Sequence, residues 1–360
     1  MKKNILIIDD SALMRRVLSD IISSDDRFTV KDYARDGLEG LDLIIKNKLQ
    51  YDAVVMDINM PRMDGLEVLE QLQKHRIQVK IIMVSTLAKE GAKETIIALE
   101  RGAFDFVTKP ENYYEVKSEK FKNRLINTLV AATRLTQKTD PIVSTAAGVS
   151  ATGKTLGNVK KVSGSKLIAI ACSTGGPKSL KEVIPLLPED IEAPILLVQH
   201  MPKGFTASLA ARLNELSKVE VKEAKDGDVL KKGVVYLAPG GLHMEINQDK
   251  SGAYSVRLSD APARDGLRPC ANIMYESLAG SSYAQIICVV MTGMGSDGTE
   301  GIRQLSNKNN VYVISQDEAS SVVYGMPRAV YAAGLSDEVV PLDKIAESIT
   351  RSVGVHINGR

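Results

Sequence analysis

Three side chains that together could run acyl transfer each sit where an apolar run stops. KLIAIAC (166–172) breaks into Ser173-Thr-Gly-Gly-Pro, ILLVQ (195–199) delivers His200, and IICVVMTGMGSDG (286–298) carries Asp297 in a glycine-rich turn. A hydroxyl can attack a carbonyl when an imidazole takes its proton and a carboxylate orients the imidazole. Unpaired N–H groups at the start of a helix can hold the resulting oxyanion. Each residue alone has a plainer reading: a serine capping a helix, a core histidine, an aspartate closing a turn. A second polar set ends other apolar runs: Asp9 and Asp10, Asp57, Ser85 and Lys109. Three converging carboxylates are costly unless a cation is bound or protons are shared, and oxygen-only ligands suit magnesium.

The elements that must position these groups read as two α/β blocks. NILIID, FTVKDYA, YDAVVMD, VKIIMVS and FDFVTKP alternate with helix-period segments, the pattern of a doubly wound parallel sheet. From Lys166 the same alternation resumes, so Ser173, His200 and Asp297 fall on the carboxyl edge of one parallel sheet, where such folds place their sites. Strand alternation turns Cys172 away from Ser173. Residues 219–260 alternate apolar with polar around Asp-Gly and Lys-Ser-Gly turns, which predicts an antiparallel ribbon containing His243 as a structural residue. Pro269–Ala279, PRAVYAAG and LDKIAESIT read as helices and VYVIS as a strand. His75 and His356 read as solvated.

With 360 residues, 44% of them hydrophobic, two domains with sizeable cores are expected. No apolar run approaches the ~20 residues of a membrane span, and MKKNILIIDD meets acids too early for a secretory signal, so a cytoplasmic protein without membrane insertion is expected. A net charge of +2 from 46 basic and 44 acidic side chains gives no nucleic-acid footprint. Cys172, Cys270 and Cys288 lack CxxC spacing and read as small buried hydrophobes. Residues 136–165 are rich in Thr, Ser, Ala, Gly and Lys, with Asp140 their sole acid, and read as a flexible linker.

Two motifs compete with the hydrolase reading. GVSATGKT (148–155) spells a phosphate loop, but no buried strand precedes it and no helix pattern follows. GMGSDG (293–298) follows a strand, and Asp317 lies about where a ribose-binding acid would sit, which makes a nicotinamide-dependent enzyme the main alternative. Against it, Asp297 would face the pyrophosphate as a second anion, and Ser173 and His200 would be left without a task. A third reading is a phosphorylation-controlled scaffold whose second domain only binds.

IIDDSALMRR, VVMDINMPRMDG, IIMVST and FVTKP resemble the receiver domain of two-component response regulators. The resemblance implies a flavodoxin-like fold in which Asp57 accepts a phosphoryl group from a histidine kinase. Asp9, Asp10, Asp57 and the Asn59 carbonyl would hold Mg2+, Ser85 and Lys109 would contact the acyl phosphate, and Phe106 would be the aromatic switch residue. CSTGGP, LVQHMPKGFTASLAARL, YLAPGGLHM and VVMTGMGSDGTEG resemble the catalytic domain of chemotaxis protein-glutamate methylesterases. That implies Ser173 as nucleophile, His200 as general base and acid, Asp297 as orienting group and the Met294 N–H as oxyanion donor, with no cofactor for hydrolysis. The implied substrates are γ-glutamyl methyl esters on the cytoplasmic helices of chemoreceptors, with glutamine deamidation as a second activity.

The expected organisation is a receiver at 1–125, a helix end and linker at 126–164, and a catalytic α/β domain with its ribbon at 165–355. Two departures from the family pattern, Ala171-Cys172 for Gly-Ala and Pro269-Cys-Ala-Asn272 for Pro-Ser-Val-Asp, are expected to leave the triad untouched, with receptor recognition or helix capping as the features the second would alter. The receiver is expected to restrain the esterase until Asp57 is phosphorylated.

Overall fold

The computed structural model describes residues 2–47, 50–86, 89–109, 119–134 and 162–354. The chain divides into two compact units, residues 1–153 and 154–360. Residues 136–161 of the expected linker, GVSATGKT and His356 lie outside the described residues. Among the described residues, no helix is long and apolar enough to cross a membrane.

In the first unit β1 (Lys3–Ile8), β2 (Phe28–Ala34), β3 (Ala53–Asp57), β4 (Ile81–Ser85) and β5 (Asp105–Thr108) pair in parallel in the order β2-β1-β3-β4-β5. These are the five strands expected from the sequence. Every residue of β3 and β4 is buried, as parallel strands covered on both faces require. The accompanying helices are α1 (Ala12–Ser23), α2 (Gly37–Lys46), α3 (Gly65–Lys74), α4 (Lys89–Glu100) and α5 (Glu119–Ala132). Ser11, Asp36 and Asp64 cap α1, α2 and α3, each accepting a backbone N–H of the first turn. Asp9, Asp57 and Ser85 are thereby left at the carboxyl ends of β1, β3 and β4.

The second unit contains β6 (Lys166–Cys172), α6 (Gly176–Val183), β7 (Ile195–Gln199), α7 (Phe205–Leu216), β8 (Glu220–Glu223), β9 (Val234–Leu237), β10 (His243–Gln248) and β11 (Tyr254–Ser259). It continues with α8 (Ala271–Ser277), β12 (Gln285–Val290), α9 (Thr299–Ser306), β13 (Val311–Gln316), α10 (Met326–Ala332), β14 (Glu338–Val340) and α11 (Leu342–Val353). Its main sheet runs β14-β13-β12-β6-β7-β9-β8, with every neighbouring pair parallel. The chain winds outward from β6 through β7 and β9, then crosses back to β12 on the other side of β6. The switch point between β6 and β12 is the place where such sheets open a crevice.

The ribbon expected over 219–260 is shorter than predicted. β10 and β11 do pair antiparallel, but β8 and β9 pair in parallel at the edge of the main sheet. The connection between β8 and β9 lies against β11, where Gly227 N donates to Val256 O, Val256 N to Asp228 O and Leu230 N to Tyr254 O. With its backbone groups satisfied there, the connection returns the chain to the starting end of the sheet rather than turning it back as a hairpin. The helix predicted at 269–279 is confined to Ala271–Ser277, and β14 was not anticipated.

Ile170 is fully buried at the centre of β6. Replacing it with Ala should cost about 2–5 kcal/mol, because the cavity cannot collapse fully. Hydrogen exchange should show faster exchange in β6, β7 and β12 and unchanged exchange in β1–β5; equal acceleration in both units would contradict the division into two units.

Candidate active site

Ser173, His200 and Asp297 leave the carboxyl ends of β6, β7 and β12, three adjacent central strands, and each is 7% exposed. Backbone bonds lock their turns together: Ser173 N donates to Thr292 O at 3.0 Å and His200 N to Cys172 O at 3.1 Å. The Ser173 turn needs Gly175, which has φ of +79° and whose added Cβ would lie 2.5 Å from the Val322 side chain. Gly293 is demanded by close approach, since a Cβ there would lie 2.8 Å from Ser173 Cβ. Thr292 braces the same turn, its Oγ1 donating to Thr174 O at 2.9 Å and accepting from Val323 N at 3.0 Å.

Asp297 is the most heavily bonded of the three. Its Oδ2 lies 2.8 Å from His200 Nε2 and accepts Ala271 N at 2.6 Å. Its Oδ1 accepts Asn272 N at 2.9 Å, Gly298 N at 3.0 Å and the Cys270 thiol at 3.2 Å. Burial pushes this carboxyl up, but the hydrogen bond and charge of His200 and the N–H groups of Ala271 and Asn272 outweigh it and hold the pKa at about 2. Asp297 therefore stays ionised and fixes the ring of His200 through Nε2. Ser173 Oγ makes no hydrogen bond to His200 among the described residues; such catalytic contacts are often loose before substrate binds. The Met294 N–H has no acceptor among the described residues.

The expectation that the departure at 269–272 leaves the triad untouched is overturned. Cys270, Ala271 and Asn272 all donate to Asp297, because the start of α8 is aimed at the carboxylate. The Asn272 carboxamide oxygen also accepts Gly298 N at 3.0 Å and Gly301 N at 2.7 Å. These bonds occupy N–H groups at the start of α9 that a pyrophosphate would need, and Asp317 is engaged by Ser320 instead. Sequence reasoning also missed Gln199, Thr292 and Gln316, whose Oε1 accepts Thr292 N at 2.8 Å. The available signal was a buried polar residue closing an otherwise apolar strand.

In the first unit Asp9, Asp10 and Asp57 bring carboxylate oxygens within 4.8 Å of one another. Lys109 Nζ lies 2.6 Å from Asp57 Oδ2 and 3.1 Å from Asp9 Oδ2. Burial raises the Asp57 pKa, and with Asp9 adding to the rise, the attraction of Lys109 does not reverse it. Burial opposes the charge of Lys109, but its two carboxylate partners together raise its pKa. Asp9 Oδ2 is buried and meets Lys109 as an ion pair without a hydrogen bond. An all-oxygen set with one such atom fits a hard dication such as Mg2+. Asn59 lies in the loop after β3 with its side-chain amide on Glu94 at 3.1 Å. The Ser85 hydroxyl donates to Gly91 O at 3.2 Å and accepts from Thr95 Oγ1 at 2.7 Å, and Phe106 is buried.

The family model for CheB methylesterase matches residues 168–349, and that for the response regulator receiver domain matches 5–119. The protein-glutamate methylesterase/protein-glutamine glutaminase of Pyrococcus horikoshii is 41% identical over 358 residues, covering 98% of this chain and 94% of that protein. This chain belongs to the CheB methylesterase family. The Bacillus subtilis protein of the same description is 40% identical over 354 residues, covering 97% of this chain and 98% of its own length. The crystal structure of the Thermotoga maritima CheB methylesterase catalytic domain matches with a TM-score of 0.50 at 40% identity, covering 52% of this chain and 99% of that one. In this CheB family member the Cys-Ala-Asn segment at 270–272 gives Asp297 two backbone donors and a thiol donor.

Because the Asp297 pKa falls from 3.8 to about 2 on folding, its contribution is complete above about pH 4 and is lost as the pH falls toward about 2. It amounts to about 2 kcal/mol. Urea unfolding followed by circular dichroism should show the stability gap between the wild type and Asp297→Asn narrowing by that amount as the pH falls from about 5 to about 2. A constant gap would contradict the ionised, hydrogen-bonded carboxylate.

Proposed function

We propose that the chain is a phosphorylation-regulated serine esterase that hydrolyses γ-glutamyl methyl esters on chemoreceptors and deamidates receptor glutamines by the same route. The observation that carries the reading is the ionised Asp297 gripping His200 Nε2 beside the Ser173 turn. With Nε2 engaged, the neutral ring carries its proton there and Nδ1 is the basic nitrogen, the reverse of the usual Ser-His-Asp arrangement. Ser173 Oγ attacks the ester carbonyl as His200 Nδ1 takes its proton, and the Met294 N–H faces the oxyanion. The tetrahedral species collapses, His200 gives the proton to the leaving oxygen, and methanol departs. Water, deprotonated by His200, attacks the acyl-enzyme, releasing the γ-carboxylate and regenerating Ser173. With glutamine, ammonia leaves in place of methanol.

In the first unit Asp57 is the phosphoacceptor for a chemotaxis histidine kinase. Asp9, Asp10, Asp57 and the Asn59 carbonyl would hold Mg2+, whose charge offsets that of the phosphoryl oxygens. Lys109 already contacts Asp57, whereas Ser85 must leave Thr95 and Gly91 to reach the new phosphoryl group. That movement couples phosphorylation to the surface around α4 and Phe106. The receiver restrains the esterase before this switch. The boundaries 1–125, 126–164 and 165–355 describe the receiver, a helix end with a flexible linker, and the catalytic domain.

Ser173→Ala should abolish methanol release from a methylated receptor with folding intact. Cys172→Ala should keep most of the activity, because burial raises the thiol pKa far above neutrality. Loss in the cysteine variant alone would name the wrong nucleophile. Removing residues 1–140 should raise basal hydrolysis by about 5–150-fold, the range of a ~1–3 kcal/mol coupling, and Asp57→Asn should remove the response to a phosphodonor. A truncated enzyme no faster than the unphosphorylated whole would make the receiver an activator or a targeting module.

A further inference from the structure

We infer that Gln199 is a positioning residue for the esterase, joining the nucleophile and the base through their main chains. The inference rests on Ser173 and His200 being catalytic. Gln199 closes β7 and is 2% exposed. Its Nε2 donates to Ser173 O at 2.9 Å and to His200 O at 3.3 Å, while its Oε1 accepts the Cys172 thiol at 3.0 Å. All three partners belong to the two strand ends that carry the site. The carboxamide also fills the floor of the Ser173 turn, since a Cβ on Gly176 would collide with Gln199 Oε1.

The strands do not need this amide to pair. β6 and β7 are already joined by a parallel ladder from Ile168–Ile195 to Cys172–Gln199. Beyond the last rung, His200 N donates to Cys172 O and Gly176 N to Ser173 O, but among the described residues no backbone bond joins the carbonyls of Ser173 and His200 to one another. A buried amide costs free energy unless its hydrogen bonds are made, and here both ends of the group have partners. The two Nε2 bonds fix the carbonyls of Ser173 and His200 relative to one another, and so fix where Oγ and the imidazole can approach. Neither bond touches a reacting atom, so Gln199 acts only through placement. The Cys172 thiol donates only weakly to Oε1, so the two carbonyl acceptors themselves set the direction of Nε2.

The test is Gln199→Met in the full chain, which keeps length and apolar fit and removes both donors. Ester hydrolysis on a methylated receptor should lose kcat by about 10–100-fold with KM near wild type, as small misplacements of reacting groups do. Circular dichroism and the hydrogen exchange of β6 and β7 should stay near wild type. If the Met variant does not fold, Gln199→Leu, smaller and also without donors, carries the same test. A folded variant with wild-type kcat overturns the inference. So does a loss of activity that only tracks the unfolded fraction, with kcat per folded enzyme unchanged. Ser173→Ala, run beside it, separates the two failures: an active alanine variant removes the triad itself, whereas an inactive one with a fully active Gln199→Met removes only the role of Gln199.

Discussion

The constraint on which the catalytic unit depends is a carboxylate that must stay charged while buried. Asp297 is 7% exposed, and an isolated ion in that position would take up a proton instead. It remains ionised because the start of α8 and the turn before α9 converge on it with backbone N–H groups, and because His200 lies against its other oxygen. Much of the local architecture follows. Asn272 ties the two helix starts together, Tyr275 inside α8 reaches Ala169 O and Val289 O, and Gly293 lets the β12 turn close over Ser173.

The receiver unit solves a related problem differently. Its carboxylates also converge at strand ends, but Asp9 and Asp57 each accept one backbone N–H and share Lys109 instead of closing within a ring of donors. The charge balance of that site is therefore open to a dication and a phosphoryl group, whereas that of Asp297 is closed.

The sheets and the residues with reactive side chains were legible because parallel strands covered on both faces write long apolar runs, and a polar residue at the end of such a run stands out. Ser173, His200, Asp297 and Asp57 all have that form. Gln199 has it too and was passed over, because an amide has no acid–base or nucleophilic chemistry to advertise. The donors at 270–272 were invisible for another reason: they lie about 25 residues from Asp297, and only the crossover that sets α8 beside the β12 turn brings them to it. β8 was misread because an edge strand with a half-exposed face alternates as a ribbon strand does, and periodicity carries no information about which way its partner runs.

The proposed hydrolysis passes through one covalent intermediate shared by ester and amide substrates, and partitioning by an added nucleophile tests it most directly. Receptor carrying either a glutamyl methyl ester or a glutamine at the same site would be turned over with hydroxylamine present, and hydroxamate and glutamate quantified by mass spectrometry. A common acyl-Ser173 enzyme forgets its leaving group, so both substrates should give the same ratio of hydroxamate to glutamate. Ratios that differ between ester and amide would contradict the Ser173 acyl-enzyme.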